Sequence, residues 1–203
     1  MICITGSNGK TTTTSLIYHL CRKAGLDVGL AGNIGSSLAL QVAESPHANY
    51  VIELSSFQLD DMYDFRANVA VLLNITPDHL DRYDFKMQNY VDAKMRILRN
   101  QTSDDAFIYW AGDEHIGREL AKYDVVSRVL PFADAPEPGA VAYADSGRFV
   151  LEQPAPFAMP QAELSLPGLH NLRNSLAAAL AVKALGLPAD VVRQGLSDFP
   201  GVE

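Results

Sequence analysis

Apolar positions along the chain follow two rhythms. Short runs that are apolar almost throughout, at 2–5, 28–31, 50–54 and 69–74, alternate with stretches in which apolar residues recur every three or four positions. The first kind predicts strands covered on both faces, the second amphipathic helices. Leu16, Ile17 and Leu20 mark a helix after the first strand, and a helical pattern spans 34–44. Tyr90, Val91, Lys94, Met95, Ile97 and Leu98 approximate one face of a helix over 85–99. A strand over 106–110, a helix over 114–123 and a strand over 125–129 continue the alternation. Near the end, a helix opens at His170 and closes at Gly186, and Pro188-Ala189-Asp190 starts another. This order implies an α/β fold, a mainly parallel sheet flanked by helices and joined by right-handed crossovers.

The rhythm breaks between Pro131 and Pro160. Six prolines and a turn signal at Asp145-Ser146-Gly147 predict a small antiparallel extension, over 131–166, at one edge of the sheet. No repeat and no low-complexity segment interrupts the rest.

Ligands of open α/β sheets sit beyond the carboxyl ends of the strands, so the polar residues there carry the chemistry. The first strand runs into Gly6-Ser7-Asn8-Gly9-Lys10-Thr11-Thr12 and then a helix. Such a junction offers backbone N–H groups, a helix N-terminus and a lysine ammonium to one polyphosphate. The glycine spacing is two residues shorter than the usual phosphate-loop pattern, but Lys10 is placed for outer phosphates and the Thr11 hydroxyl for a magnesium ion. The fold class is therefore P-loop NTPase-like.

Three further strand ends and one helix add candidates. Glu53 closes an apolar strand, where a lone carboxylate needs a cation: either a basic side chain or a magnesium ion beside Thr11. Ser55, Ser56 and Gln58 follow on the same edge. Asp78, His79 and Asp81 cluster after the 69–74 strand as ligands, acid–base groups or helix caps. Lys94 lies on an apolar helical stripe, where lysine ordinarily extends its head to water; a desolvated neutral amine could instead take up carbon dioxide and become a carbamate ligand. Asn171 and Asn174 stand one turn apart, a weak signature for reading a purine edge.

Composition narrows the range of functions. The 203 residues carry 16 Lys and Arg against 24 Asp and Glu, a net charge of −8, which argues against duplex nucleic acid while leaving a local cationic loop free to bind phosphates. Two cysteines, Cys3 and Cys21, read as buried thiols in a reducing compartment. No apolar run reaches the length of a membrane span, and the N-terminus lacks a secretory pattern, so a cytoplasmic protein is expected.

Taken in order, "TGSNGKTTTT", "GNIG", "ELSSFQL", "NITPDHLDRY", "YVDAK" and "GLHNLRNSLAA" resemble the central ATP-binding domain of the Mur ligases, most of all their D-glutamate-adding branch. That resemblance implies ATP and Mg2+ as cofactors. It implies that Gly6, Ser7, Asn8, Gly9, Lys10, Thr11 and Thr12 hold the phosphates, and that Thr11 and Glu53 bind one magnesium. His79 and a carbamylated Lys94 bind a second, and Asn171 and Asn174 meet the adenine side. Asn33, Ser55, Gln58 and His79 then face UDP-N-acetylmuramoyl-L-alanine, to which D-glutamate is joined through an acyl phosphate, with Lys10, Glu53, His79 and Lys94 as the catalytic set. The resemblance further implies that the N-terminal uridine-nucleotide domain and the C-terminal domain are absent from residues 1–203. The chain alone is then expected to be a monomer that binds ATP weakly and completes no ligation. A folylpolyglutamate-synthase-like ligase and a nucleotide-binding module without chemistry are the competing expectations.

Overall fold

The structure is a computed structural model and describes residues 1–202. Its strands are β1 (Ile2–Thr5), β2 (Val28–Gly32), β3 (Asn49–Glu53), β4 (Val69–Leu72), β5 (Ala106–Trp110), β6 (Arg128–Phe132), β7 (Ala142–Asp145), β8 (Arg148–Leu151) and β9 (Phe157–Pro160). Its helices are α1 (Lys10–Lys23), α2 (Leu38–Glu44), α3 (Ser56–Asp60), α4 (Met87–Met95), α5 (Glu114–Leu120), α6 (Leu169–Ala184) and α7 (Ala189–Asp198). The strands form one sheet in the order β2-β3-β1-β4-β5-β6-β7-β8-β9. Pairing is parallel from β2 to β7 and antiparallel from β7 to β9, so the mainly parallel sheet and its antiparallel edge both match the sequence pattern.

Alternation along the strands divides the core in two. On one face Ile2, Ile4, Val51, Val69 and Val71 pack with Leu16, Ile17 and Leu20 of α1, the alanine-rich α6, and Val192 and Leu196 of α7. On the other, Cys3, Ile52, Ala70 and Leu72 pack with Leu59 of α3, Tyr90 and Val91 of α4 and Ile116 of α5. β1 lies between β3 and β4, and the chain leaves it in opposite lateral directions on either side. That switch point places the Gly6–Gly9 segment in the crevice where such sheets bind ligands.

Four expected boundaries move. The helix over 34–44 begins only at Leu38, because Ser36 folds back to bridge Ala31 and donates its N–H to Leu30 O at 3.3 Å. The helix over 85–99 is a 3-10 turn at Leu80–Tyr83, then α4, then a 3-10 turn at Arg96–Leu98; Asp84 and Phe85, at φ of 53° and 56°, lie outside helical geometry. The helix over 114–123 stops at Leu120. The strand over 125–129 is shifted to Arg128–Phe132 and keeps Pro131, which its ring would exclude from a fully paired strand. It is tolerated because β7 meets β6 only at Phe132 and Ala142, while Pro131 still accepts a hydrogen bond from Val141 N at 2.8 Å.

Candidate functional site

Gly9 shapes the loop between β1 and α1. Its φ of 84° is left-handed, and a Cβ there would stand 2.4 Å from Asn174 Oδ1, so only glycine lets α6 close on the loop. The loop is then strapped from the β4 side. Ser7 N donates to Asn74 O, Asn8 N donates to Asn74 Oδ1 at 2.8 Å, and Asn74 Nδ2 returns a bond to Asn8 O at 3.0 Å. Ser7 Oγ donates to Thr76 O and accepts from Thr76 N, both at 2.9 Å, which leaves the Tyr90 hydroxyl as donor to the same oxygen. Asn74, Thr76 and Tyr90 hold the loop in place, a role no local sequence pattern reports: the parallel β1–β4 register brings Asn74 and Thr76 to it, and α4 carries Tyr90.

Two lysines converge on the loop carbonyls. Lys10 Nζ donates to Gly6 O at 2.9 Å and Ser7 O at 3.0 Å. Lys94, only 2% exposed, also donates to Gly6 O at 2.9 Å, and its ammonium lies 4.7 Å from the centre of the Tyr90 ring. Burial first, and the Lys10 ammonium second, lower the Lys94 pKa to about 7, with Asp78 opposing. The lysine head stays inside the fold, and its burial favours the neutral amine.

Glu53 occupies the carboxyl end of β3, paired in register with Ile4 of β1 and Gly32 of β2. Val51, two residues earlier, packs under α1, so strand alternation puts Glu53 on the face where α1 begins. The residue is 4% exposed and its Oε2 has no hydrogen-bond partner. A buried carboxylate oxygen without a partner suits a hard divalent cation, and exposed Thr11, in the first turn of α1, carries a hydroxyl of the kind such an ion also takes. Among the described residues no basic side chain pairs with Glu53, so the salt-bridge reading of this residue falls away. Among the described residues no three His, Cys, Asp or Glu side chains converge on one point.

A cavity of about 80 Å³ lies on one side of the loop, bordered by Lys10, Asn33, Ser55, Ser56, Phe57, Asp78, His79, Tyr90 and Lys94. The structure thus brings together the candidates for substrate and second metal, with the exception of Gln58. That side chain turns back instead. Its Oε1 accepts from Ser55 N and Ser55 Oγ at 2.9 and 2.8 Å, forming a capping box that starts α3. His79 is held at φ 49° and its Nε2 lies 3.6 Å from Asp78 Oδ2.

A second cavity of about 80 Å³ lies on the other side, bordered by Asn8, Gly9, Leu73, Asn74, Phe132, His170, Arg173 and Asn174. Asn174 borders it. Asn171 does not: its Nδ2 donates to Pro167 O at 2.9 Å, closing the turn before α6, while its Oδ1 accepts from Asn174 Nδ2 at 3.4 Å. Arg173 takes its place beside the loop.

Comparison with known proteins identifies the family and the fold. The Mur ligase middle domain, as a family, matches residues 4–182. A UDP-N-acetylmuramoylalanine--D-glutamate ligase of Bacteroides thetaiotaomicron is 62% identical over 203 residues, and one of Porphyromonas gingivalis is 56% identical over 205; each alignment covers all of this chain and 46% of the relative. The chain therefore spans about half the length of these curated relatives. Among solved structures, a UDP-N-acetylmuramoyl-L-alanyl-D-glutamate--2,6-diaminopimelate ligase superposes with a TM-score of 0.79 at 24% identity, covering 100% of this chain and 46% of that one. A UDP-N-acetylmuramoylalanyl-D-glutamyl-2,6-diaminopimelate--D-alanyl-D-alanyl ligase from Acinetobacter baumannii gives 0.74 at 22%, with the same coverage. These structures share the fold.

Proposed function

The chain belongs to the Mur ligase family, and from that premise we propose that it is the ATP-using middle domain of a longer ligase that joins D-glutamate to UDP-N-acetylmuramoyl-L-alanine. The observation that carries the reading is the partnerless Oε2 of buried Glu53 beside a loop already lined by two lysines. The reaction class is acyl activation by phosphoryl transfer. A carboxylate oxygen of the UDP-linked substrate attacks the γ-phosphorus of ATP, and the bond to ADP breaks. The amine of D-glutamate then attacks the acyl carbon, phosphate leaves, and the amine proton is lost.

Each residue of the site has a part in that sequence. The loop N–H groups and Lys10 hold the phosphates, Lys10 exchanging its bonds to Gly6 O and Ser7 O for bonds to phosphate oxygens. Thr11 and Glu53 are the ligands of one magnesium ion, and His79 with a carbamylated Lys94 are those of another. Those ions supply charge stabilisation around the transferring phosphorus. The lowered pKa of Lys94 supports the carbamate, since only the neutral amine adds carbon dioxide. Asn33, Ser55 and His79 face the UDP-linked substrate in the cavity they share with Lys94.

The test is ADP formation by the full-length protein with each substrate omitted in turn, run beside Glu53→Gln. ADP release that needs both the UDP-linked substrate and D-glutamate, and that falls at least ~100-fold in the variant, is expected. Turnover stimulated by a folate instead, or undiminished in Glu53→Gln, would overturn the assignment.

A further inference from the structure

Arg173 borders the cavity on the Asn174 side of the loop, beside His170, and it is unusually well fixed. Its Nε and Nη2 donate to Asp134 Oδ1 and Oδ2 at 2.7 and 2.5 Å, the two-pronged geometry that sets a guanidinium plane. One face of that plane lies 3.7 Å from the centre of the Trp110 ring. Trp110 is itself held flat, because Gly112 passes so close that a Cβ there would stand 2.6 Å from the indole. The three residues come from the carboxyl end of β5, the segment after β6 and the first turn of α6, so the sheet and α6 together fix the stack.

Asp134 takes two of the five guanidinium N–H groups and Trp110 takes one face. What is left, with the side chain 21% exposed, is the other face and the Nη1 edge, beside the cavity. Asn8 and Gly9 border the same cavity, so a nucleotide held on the loop by its phosphates has its other end directed here. A planar, weakly hydrated cation that already stacks on one aromatic system favours a second on its free face.

We propose that the Arg173 guanidinium is the surface on which the purine base of the nucleotide stacks, with Trp110 and Asp134 as the positioning residues that hold it. Asn174, one residue on, is then the hydrogen-bonding partner at the same base, and Asn171, whose Oδ1 accepts from Asn174 Nδ2 at 3.4 Å, helps to orient it. The inference rests on reading the loop as an ATP site.

Calorimetric titration of the full-length protein with ADP and with inorganic tripolyphosphate, which lacks the base, separates the two ideas. Arg173→Ala is expected to weaken ADP about tenfold, the loss of one desolvated cation–π stack, and to leave tripolyphosphate unchanged. Arg173→Lys keeps the charge and can still pair with Asp134, so it guards against misfolding; most of the ADP loss is expected to persist because the plane is gone. Asp134→Asn frees the guanidinium and gives a smaller loss of the same kind. ADP affinity unchanged in Arg173→Ala, or ADP and tripolyphosphate weakened equally, would overturn the stack while sparing the phosphate loop. A wild-type protein that binds neither ligand would overturn the nucleotide reading itself, and this inference with it.

Discussion

Lys94 combines a stability cost with a place in the proposed site. Its folded-state pKa of about 7 lies below the 10.5 it has in the unfolded chain. Between those values the unfolded chain holds a proton that the folded chain does not, so this group makes stability rise with pH across the window. Below pH 7 both states are protonated and the full cost of burying the ammonium is present. Lys94→Met is accordingly expected to be more stable than wild type at pH 6, by ~1–3 kcal/mol, with the advantage shrinking as pH approaches 10. Urea denaturation at pH 6, 8 and 9.5 checks this, and a gap that does not vary with pH would show that the lysine does not titrate there. The ordinary reading of a lysine on an apolar stripe is an extended, solvated head, and the sequence pattern alone favours it. What overrides it is Gly6 O, 88 positions away in the chain, together with the Tyr90 ring.

At the level of elements, Asp113 links the site to the sheet. Its Oδ1 accepts from His115 N and Ile116 N, capping α5, while Oδ2 accepts from Ile75 N at 2.6 Å. Ile75 sits between Asn74 and Thr76, the two residues that strap the phosphate loop, so a helix cap also fixes the loop's far wall. Asp113→Ala removes the cap and orphans a buried N–H, and a loss of ~2–4 kcal/mol is expected. ADP affinity should fall with it, since Asn74 and Thr76 lose their anchor; a destabilised variant that bound ADP normally would show that the strap is independent of the cap. This linkage explains which parts of the molecule were legible in the sequence. β1, β5 and the turn between β7 and β8 announce themselves through local pattern and turn chemistry. β6 does not, because Val125 and Val126 imitate a strand while bordering an open cavity at the amino end of the sheet, and Pro131 hides the real one. Gln58 and Asn171 were legible as polar residues at strand and helix ends, but their partners are local: Ser55 for Gln58, and Pro167 and Asn174 for Asn171. Asn74, Asp113 and the Trp110–Arg173–Asp134 stack depend on contacts across 38 to 66 positions, which no local pattern reports.

For the molecule as a whole, the size of the site decides what the chain can do by itself. The two cavities that flank the loop hold about 80 Å³ each. Pockets that enclose small ligands run to roughly 300–1,000 Å³, so a nucleotide and a UDP-linked sugar laid on this surface are left largely open to water. On the proposed reading, an acyl phosphate formed on so open a surface is exposed to water. The relatives are about twice as long as this chain, and in the proposed ligase the enclosure comes from that further protein. Residues 1–203 alone are therefore expected to bind ADP and magnesium through the loop, with an affinity that Lys10→Ala lowers, and to form no D-glutamate adduct. The full-length protein is expected to bind more tightly and to turn over. Parallel calorimetry and product analysis on the two lengths make the comparison. Product from residues 1–203 alone would show that this open crevice excludes water without help, and equal ADP affinities would show that the nucleotide needs nothing beyond the loop and its two flanking walls.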